Sequence, residues 1–585
     1  MNTRHHGIVR NSGHIRHSRL IALTALASLA GLAPSNSALA FPPPYVMVID
    51  GKEQPCPDVQ MGDPAVVDRI IAESKDNSLV MSYMHSLTFD IGARLTGSAA
   101  AEKANNWAME QYKTMGIDNA HLEQWGTIPV RFDRGPSTGK VLLRKEKPAD
   151  DDKDDKAPPK VEYEDLRDMQ FTTLAWTAGT DGPVRGPVVR EPKTQEEFDK
   201  VKNSLKGAWV LIQAPPALGQ RGVRNLARAR HEMRADALSK VAKGTDPATL
   251  TIPEQLALQP VAGFISTSRD ERVWTGAASN WRDLDADHLP KDVEVIIRLS
   301  DYDYINSRLT DHDPIEVEFD LANHFTKGPI PVYNTVAEIR GSQKPDEVVI
   351  ISAHLDSWNG PGSQGCTDNG TGSVVTLEAA RLLMAVHAKP LRTIRFINYT
   401  GEEQGLLGSH GYVEAHKSEM DKISAVFVDD GGTNYEGGLP AAENMVQMLA
   451  EATAPTNNVF YSDTDKKFMN VNVRNTGKKI DTHGSSDHAS FNAVGVPGFF
   501  WDEVGRADYP YGWHTQNDRY DLAIPEYLVQ SAANAAITAY RLACADTLLP
   551  RAVKEPEVKH ADSKPEPKQP QGASKDSHAA APASK

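Results

Sequence analysis

Three short runs constrain this chain more than any other feature. Residues 347–353 (EVVIISA), 393–399 (TIRFINY) and 424–428 (SAVFV) are rich in β-branched and aromatic side chains and contain neither Gly nor Pro. The first and third are almost wholly apolar, as expected of strands buried on both faces. Helical patterns stand between and after them, at 373–386, 408–420 and 439–452, followed by a further strand at 496–501 and a closing helix at 525–548. Alternation of strand and helix predicts an α/β fold, a mostly parallel mixed sheet flanked by helices.

In such sheets ligands gather at the carboxyl ends of the strands. The chemistry-bearing residues stand there. His354 and Asp356 follow the first run, Glu402 and Glu403 the second, Asp429 and Asp430 the third. Asp368 precedes the 373–386 helix in a loop loosened by Gly360, Gly362, Gly365, Gly370 and Gly372. Singly, each is an ordinary loop residue. Their shared placement is the signal. Imidazole and carboxylate ligands suit zinc, and a carboxylate can bridge two ions. Two metals roughly 3.5–4 Å apart activate water and polarise a carbonyl. His354, Asp368, Glu403, Asp430 and His514 supply two imidazoles, two terminal carboxylates and one bridge, enough for two Zn2+ per chain. Glu402, beside a ligand, is placed to take a proton from water. The three cysteines, Cys56, Cys366 and Cys544, are too scattered for a zinc finger. Their odd number leaves at least one thiol unpaired, and a Cys56–Cys544 disulfide stays open.

The rest of the chain divides by composition. Residues 1–19 carry Arg4, Arg10, Arg16 and Arg19 and no acid, and 20–33 (LIALTALASLAGLA) form a short apolar segment. Ala38-Leu39-Ala40 then reads as a cleavage site, so 1–40 is expected to be an export signal and Phe41 the mature start. The product is expected in the periplasm or the medium, without stable membrane insertion. Residues 41–125 are read as a Pro-rich arm and the first helices of the catalytic domain, 126–325 as an inserted, mainly β domain, and 326–548 as the catalytic domain proper. Residues 549–585, with hardly a large apolar side chain, are expected to be disordered. The net charge of −15 argues against a nucleic-acid partner and against a basic membrane-seeking face. Oligomeric state is not legible.

The motifs SAHLDSW (352–358), TDNGTG (367–372), TGEEQGLLGS (400–409), VFVDDGGT (426–433), SSDHASF (485–491) and WHTQND (513–518) resemble, in order, those of metallopeptidase family twenty-eight. That family contains zinc aminopeptidases and carboxypeptidase Q. The resemblance implies the zinc exopeptidase fold and peptide substrates. It assigns His354 and Asp430 to one zinc, Glu403 and His514 to the other, and Asp368 to both. It makes Glu402 the general acid/base and Asp356 the carboxylate that orients His354. ARLTGS (93–98) is similar to the family's N-terminal segment, and GPVVREP (186–192) with LKGAWVLI (205–212) to its protease-associated domain. Tyr509 or Tyr511 would be the oxyanion donor, and Arg506 a candidate carboxylate clamp. Asp487 and His488 would lie near the pocket without being ligands. Aminopeptidase is the preferred activity. A dipeptidase or carboxypeptidase is the alternative, ahead of a glutaminyl cyclase or a non-catalytic receptor-like protein.

Overall fold

The computed structural model describes residues 45–147, 160–212, 233–277, 281–287, 289, 291–480 and 486–552. The expected export signal, the acidic run near 150 and the tail beyond 552 lie outside the described residues.

The three runs form neighbouring parallel strands. Ile423–Val428, Lys344–His354 and Arg392–Tyr399 lie side by side in that order, and Gly498–Phe500 adds a fourth parallel strand beyond Ile423–Val428. Asn323–Ile339 and His121–Arg134 extend the opposite edge antiparallel, completing a six-stranded mixed sheet. The two-residue period of a strand divides the buried side chains between two faces. Val349, Ile351, Phe396, Ala425 and Phe427 join one core with residues of the helices Pro64–Asp76, Gly370–Ala385 and Pro525–Cys544. Val348, Ile350, Ile397, Val426 and Val428 join another with Tyr412 and Val413 of the helix Leu407–Ala415. Each such buried side chain contributes about 1.5–3 kcal/mol. The strand ends therefore stand on a firmly packed base.

The domain boundaries expected at 126 and 325 fall inside strands. The ribbon of His121–Arg134 with Asn323–Ile339 pairs from His121↔Val336 to Arg134↔Asn323 and belongs to the six-stranded sheet. Gly328 and Pro329 lie in a register shift within this ribbon, between Lys327 and Ile330, and do not end it. A separate eight-stranded sheet is built from strands between Thr138–Lys147 and Ile315–Asp320.

A third, five-stranded sheet combines Val46–Ile49 and Lys52–Pro55 with Tyr435–Ala441, Asn472–Asn475 and Asp502–Val504. The Pro-rich arm is thus a hairpin added to the body. The helix expected over 439–452 is corrected here: Tyr435–Ala441 is a wholly buried strand, and helix begins only at Val446–Thr453. A Cβ at Gly438 would lie 2.5 Å from the Asn472 carbonyl, so Gly permits this close strand contact. Ordered packing continues past residue 548, because Leu549 is buried and its N–H donates to Ser424 Oγ. All three cysteines are free and buried, so Cys56 and Cys544 form no disulfide. No helix among the described residues is long and apolar enough to cross a membrane.

Candidate metal centre

His354 is the last residue of the central strand, and the chain ends of its two parallel neighbours converge on it. Its Nε2 lies 2.8 Å from Asp430 Oδ1, 3.4 Å from Asp368 Oδ1 and 3.9 Å from Glu402 Oε2. His514 Nε2 lies 3.0 Å from Asp368 Oδ2 and 3.0 Å from Glu403 Oε2. Asp368 therefore turns one oxygen to each imidazole. Two triads result, His354–Asp368–Asp430 and Asp368–Glu403–His514, each with its candidate ligand atoms within 4.8 Å of one another. The structure brings all five residues together, with Glu402 beside them and in neither triad.

Local sequence explains these placements. The Asn369 side chain caps the helix Gly370–Ala385 by accepting from Gly372 N–H, and its own amide donates 2.6 Å to the Asp429 carbonyl. This joins the Asp368 loop to the end of Ile423–Val428. A Cβ at Gly372 would lie 2.0 Å from that same carbonyl. Asp518, the last residue of WHTQND, accepts from Thr367 N–H at 2.6 Å, Thr367 Oγ1 at 2.8 Å and Asp368 N–H at 3.3 Å. Arg94 of ARLTGS is fully buried and donates to the carbonyls of Leu355, Gly92, Gln364 and Gly365. It ties the start of the loop between His354 and Asp368 to its end. Burial lowers Arg94 only to about 10, so it stays charged near neutrality. His514 has φ 57°, a left-handed conformation that costs a non-glycine residue about 1–3 kcal/mol and persists only when neighbours hold it.

The charges suit a cation-binding site. Burial pulls His354 down, but Asp430 and Glu402 lift it well above the ordinary imidazole value. His514 is likewise raised, to about 9, by Glu403 and Asp368 against the effect of burial. Burial pushes Asp368 up, yet His354 and His514 hold it well below the usual carboxylate range. Glu403 rises to about 7 and Glu402 well above its usual value, both chiefly through burial. Four carboxylates thus face two imidazoles away from water, a surplus that buried charge tolerates only when compensated. Asp368 Oδ2 and Glu403 Oε1 are buried and accept no well-formed hydrogen bond. The donor set fits two divalent ions of the zinc type.

The surroundings of the other candidate residues overturn one expectation, the Arg506 clamp, and narrow the rest. The group nearest His354 Nδ1 is the Asp356 carbonyl oxygen at 2.9 Å, while its carboxylate stands at 3.7 Å. That carboxylate instead accepts from Thr96 Oγ1 at 2.7 Å and Glu402 N–H at 3.3 Å, so it anchors the Glu402 turn. Arg506 is no free clamp, because it donates to Glu526 at 2.8 Å and Asp465 at 3.3 Å. Tyr509 packs over Gly432 and feels Asp368, Asp430 and Glu403, whereas Tyr511 is 48% exposed. Asp429 faces Glu503, leaving Asp430 to His354. Asp487 and His488 are buried, and Asp487 is raised to about 7 by burial and by Asp430 and Asp356, with His354 and Ser409 opposing. Cys366 packs against Met84 Sδ at 3.7 Å. Sequence reasoning missed Arg94 and Asp518 as loop braces, although both stand inside motifs it had singled out.

The profile of Peptidase family M28 matches residues 334–539, the stretch that holds all five candidate ligands. This stretch is a peptidase family M28 domain by that match. Mouse (Mus musculus) carboxypeptidase Q is 27% identical over 466 residues, 79% of this chain and 85% of the mouse protein. Carboxypeptidase Q of Xenopus laevis is 32% identical over 227 residues, 37% of this chain and 43% of that protein. Aminopeptidase YwaD of Bacillus subtilis (strain 168) is 33% identical over 214 residues, 34% of this chain and 42% of that protein. Among solved structures, a peptidase M28 precursor from Shewanella amazonensis SB2B shares the fold, with TM-score 0.53 and 24% identity over 84% of this chain and 99% of that one. The family match and these relatives make the chain a metallo-exopeptidase, and the solved structure shares the α/β fold read from its sequence.

Proposed function

We propose that this chain is a two-zinc aminopeptidase. The observation that carries the reading is the pair of triads sharing Asp368. In it His354 and Asp430 would hold one ion, Glu403 and His514 the other, and Asp368 would serve both. When bound, the two ions supply Lewis acidity for the scissile carbonyl and a water acidic enough to be deprotonated near neutral pH. Glu402, outside both triads and 3.9 Å from His354, takes that proton and passes it to the leaving amine. Tyr509, its phenol kept neutral by burial, donates its O–H to the developing oxyanion.

The end of the peptide is read from charge. The arginines on the loops around the centre are engaged: Arg94 by carbonyls, Arg272 by Asp270 and the Pro510 carbonyl, Arg282 by the Gln404 carbonyl, Arg506 by Glu526. Beyond the ligands, Glu402 and Asp487 are two further carboxyl groups, and bound cations nearby would favour their charged forms against burial. Such a site favours a substrate's ammonium over its carboxylate. The long alignment with carboxypeptidase Q favours a second reading, a carboxypeptidase or dipeptidase. A peptide panel decides between them. Hydrolysis confined to peptides with a free N-terminus supports the aminopeptidase, and cleavage of N-blocked peptides with a free carboxylate supports the rival. Glu402→Gln is expected to keep both metals and lose most turnover, about 100-fold or more. Near-normal turnover would remove Glu402 from its role.

The eight-stranded portion is read as the family's protease-associated module, and residues 1–40 as the export signal of a periplasmic or secreted protein. N-terminal sequencing of protein from the medium or periplasm is expected to begin at Phe41. An intact N-terminus there would contradict it.

A further inference from the structure

The two half-sites are not supported alike. His354 and Asp430 follow adjacent strands of the six-stranded sheet directly. Glu403 and His514 stand on loops, and both loops are gripped by residues that follow the strand Gly263–Thr267 of the eight-stranded sheet, residues 270–277 and Arg282.

The grip on the His514 loop has several parts. Thr275 N–H donates to the His514 carbonyl at 3.0 Å, and Trp274 forms an antiparallel bridge with Thr515. Val273 N–H donates to Gln516 Oε1 at 2.6 Å, and Gln516 Nε2 returns a bond to the Glu271 carbonyl at 3.0 Å. Arg272, fixed by Asp270 at 2.6 Å, donates to the Pro510 carbonyl at 2.9 Å. Trp274 meets Trp513 edge-on, and Trp513 stacks on the His514 ring at 4.0 Å. A left-handed His514 is therefore locked from both its backbone and its ring. On the Glu403 loop the grip is a single bond, Arg282 Nη2 to the Gln404 carbonyl at 2.8 Å, beside the anchor that Asp356 gives the Glu402 N–H.

We infer that residues 270–277, together with Arg282, are a positioning element for one metal half-site only, the Asp368–Glu403–His514 triad. The half-site of His354 and Asp430 is preformed by the sheet. The other reaches ligand geometry only while this segment is docked, so the two ions bind with unequal affinity. The segment touches no ligand atom and acts through the main chain of His514 and of Gln404. The inference rests on the two-metal reading above.

The test is chelator titration of the full-length protein loaded with zinc, counting bound metal per chain at each step by mass spectrometry. Wild type is expected to release its ions in two steps. Arg272→Ala with Arg282→Ala is expected to move the first step alone to about tenfold or more lower chelator, the size of effect typical for groups that orient ligands. The second step stays in place. Arg272→Lys with Arg282→Lys, which keeps charge and donors, is expected to restore part of the shift and serves if the alanine pair does not fold. A wild type that holds a single ion overturns the two-metal reading and the inference with it. Two ions released at wild-type chelator by both variants, or both steps moved together, overturn the inference and leave that reading standing.

Discussion

Arg94 offers the sharpest test of how the centre is held. Its guanidinium donates at 2.7 Å to the carbonyls of both Leu355 and Gly365, at 2.9 Å to Gly92 and at 3.1 Å to Gln364, with no water access. A hydrogen bond from a charged donor contributes about 1.5–3 kcal/mol. The Gly365 carbonyl keeps a second donor, Gly370 N–H at 3.1 Å, so it loses least. Arg94→Ala then leaves the Leu355 bond and the shared Gly92 and Gln364 bonds unreplaced, a loss of roughly 3–6 kcal/mol. Arg94→Lys keeps the charge but not the fork, and one ammonium cannot reach both edges of the loop, so about 2 kcal/mol is expected to go. Urea unfolding gives the energy, and metal counting on the same samples shows whether Asp368 still meets both imidazoles. A Lys variant within about 0.5 kcal/mol of wild type and with full metal content would refute the brace.

Other outcomes follow from the same geometry. Asp518→Asn substitutes an amide for the carboxylate that accepts from Thr367 and Asp368. It is expected to destabilise by about 1–3 kcal/mol and lower metal occupancy, checked by melting and metal counting. His416 lies 2.9 Å from Glu123 and 3.1 Å from Glu419, and the hydrogen bond with Glu123 is the main cause raising its pKa. Its folded value exceeds the unfolded value of about 6.5, so the stability it adds is complete below that pH and is lost as pH rises through the folded value. The destabilisation caused by His416→Gln should accordingly be larger at pH 6 than at pH 9. Equal effects at both would contradict the pairing.

The legible part of the fold was the part whose physics is local. The runs at 347–353 and 424–428 declare doubly buried strands by themselves, and His354 and Asp430 follow at their ends. The five-stranded sheet was not legible because it pairs Val48 with Asn472 and Ile49 with Val473, from nearly opposite ends of the chain. The last residues of Tyr435–Ala441, from Leu439, read as the start of a helix because the buried residues there do not alternate with polar ones. At the site, residue types mark the candidate ligands but not their supports. Arg94 works through four carbonyls and Asp518 partly through two amides, groups every residue possesses. The same holds for His354, whose Nδ1 finds the carbonyl of Asp356 before its carboxylate. The grip of Thr275 on His514 is also main chain to main chain.

The central claim is one carboxylate shared between two ions. A zinc-edge anomalous difference map of crystals of the full chain tests it most directly. Two peaks are expected roughly 3.5–4 Å apart on either side of Asp368, one against His354 and Asp430 and the other against Glu403 and His514. A single peak, or peaks that leave Asp368 bound on one oxygen only, would contradict the account.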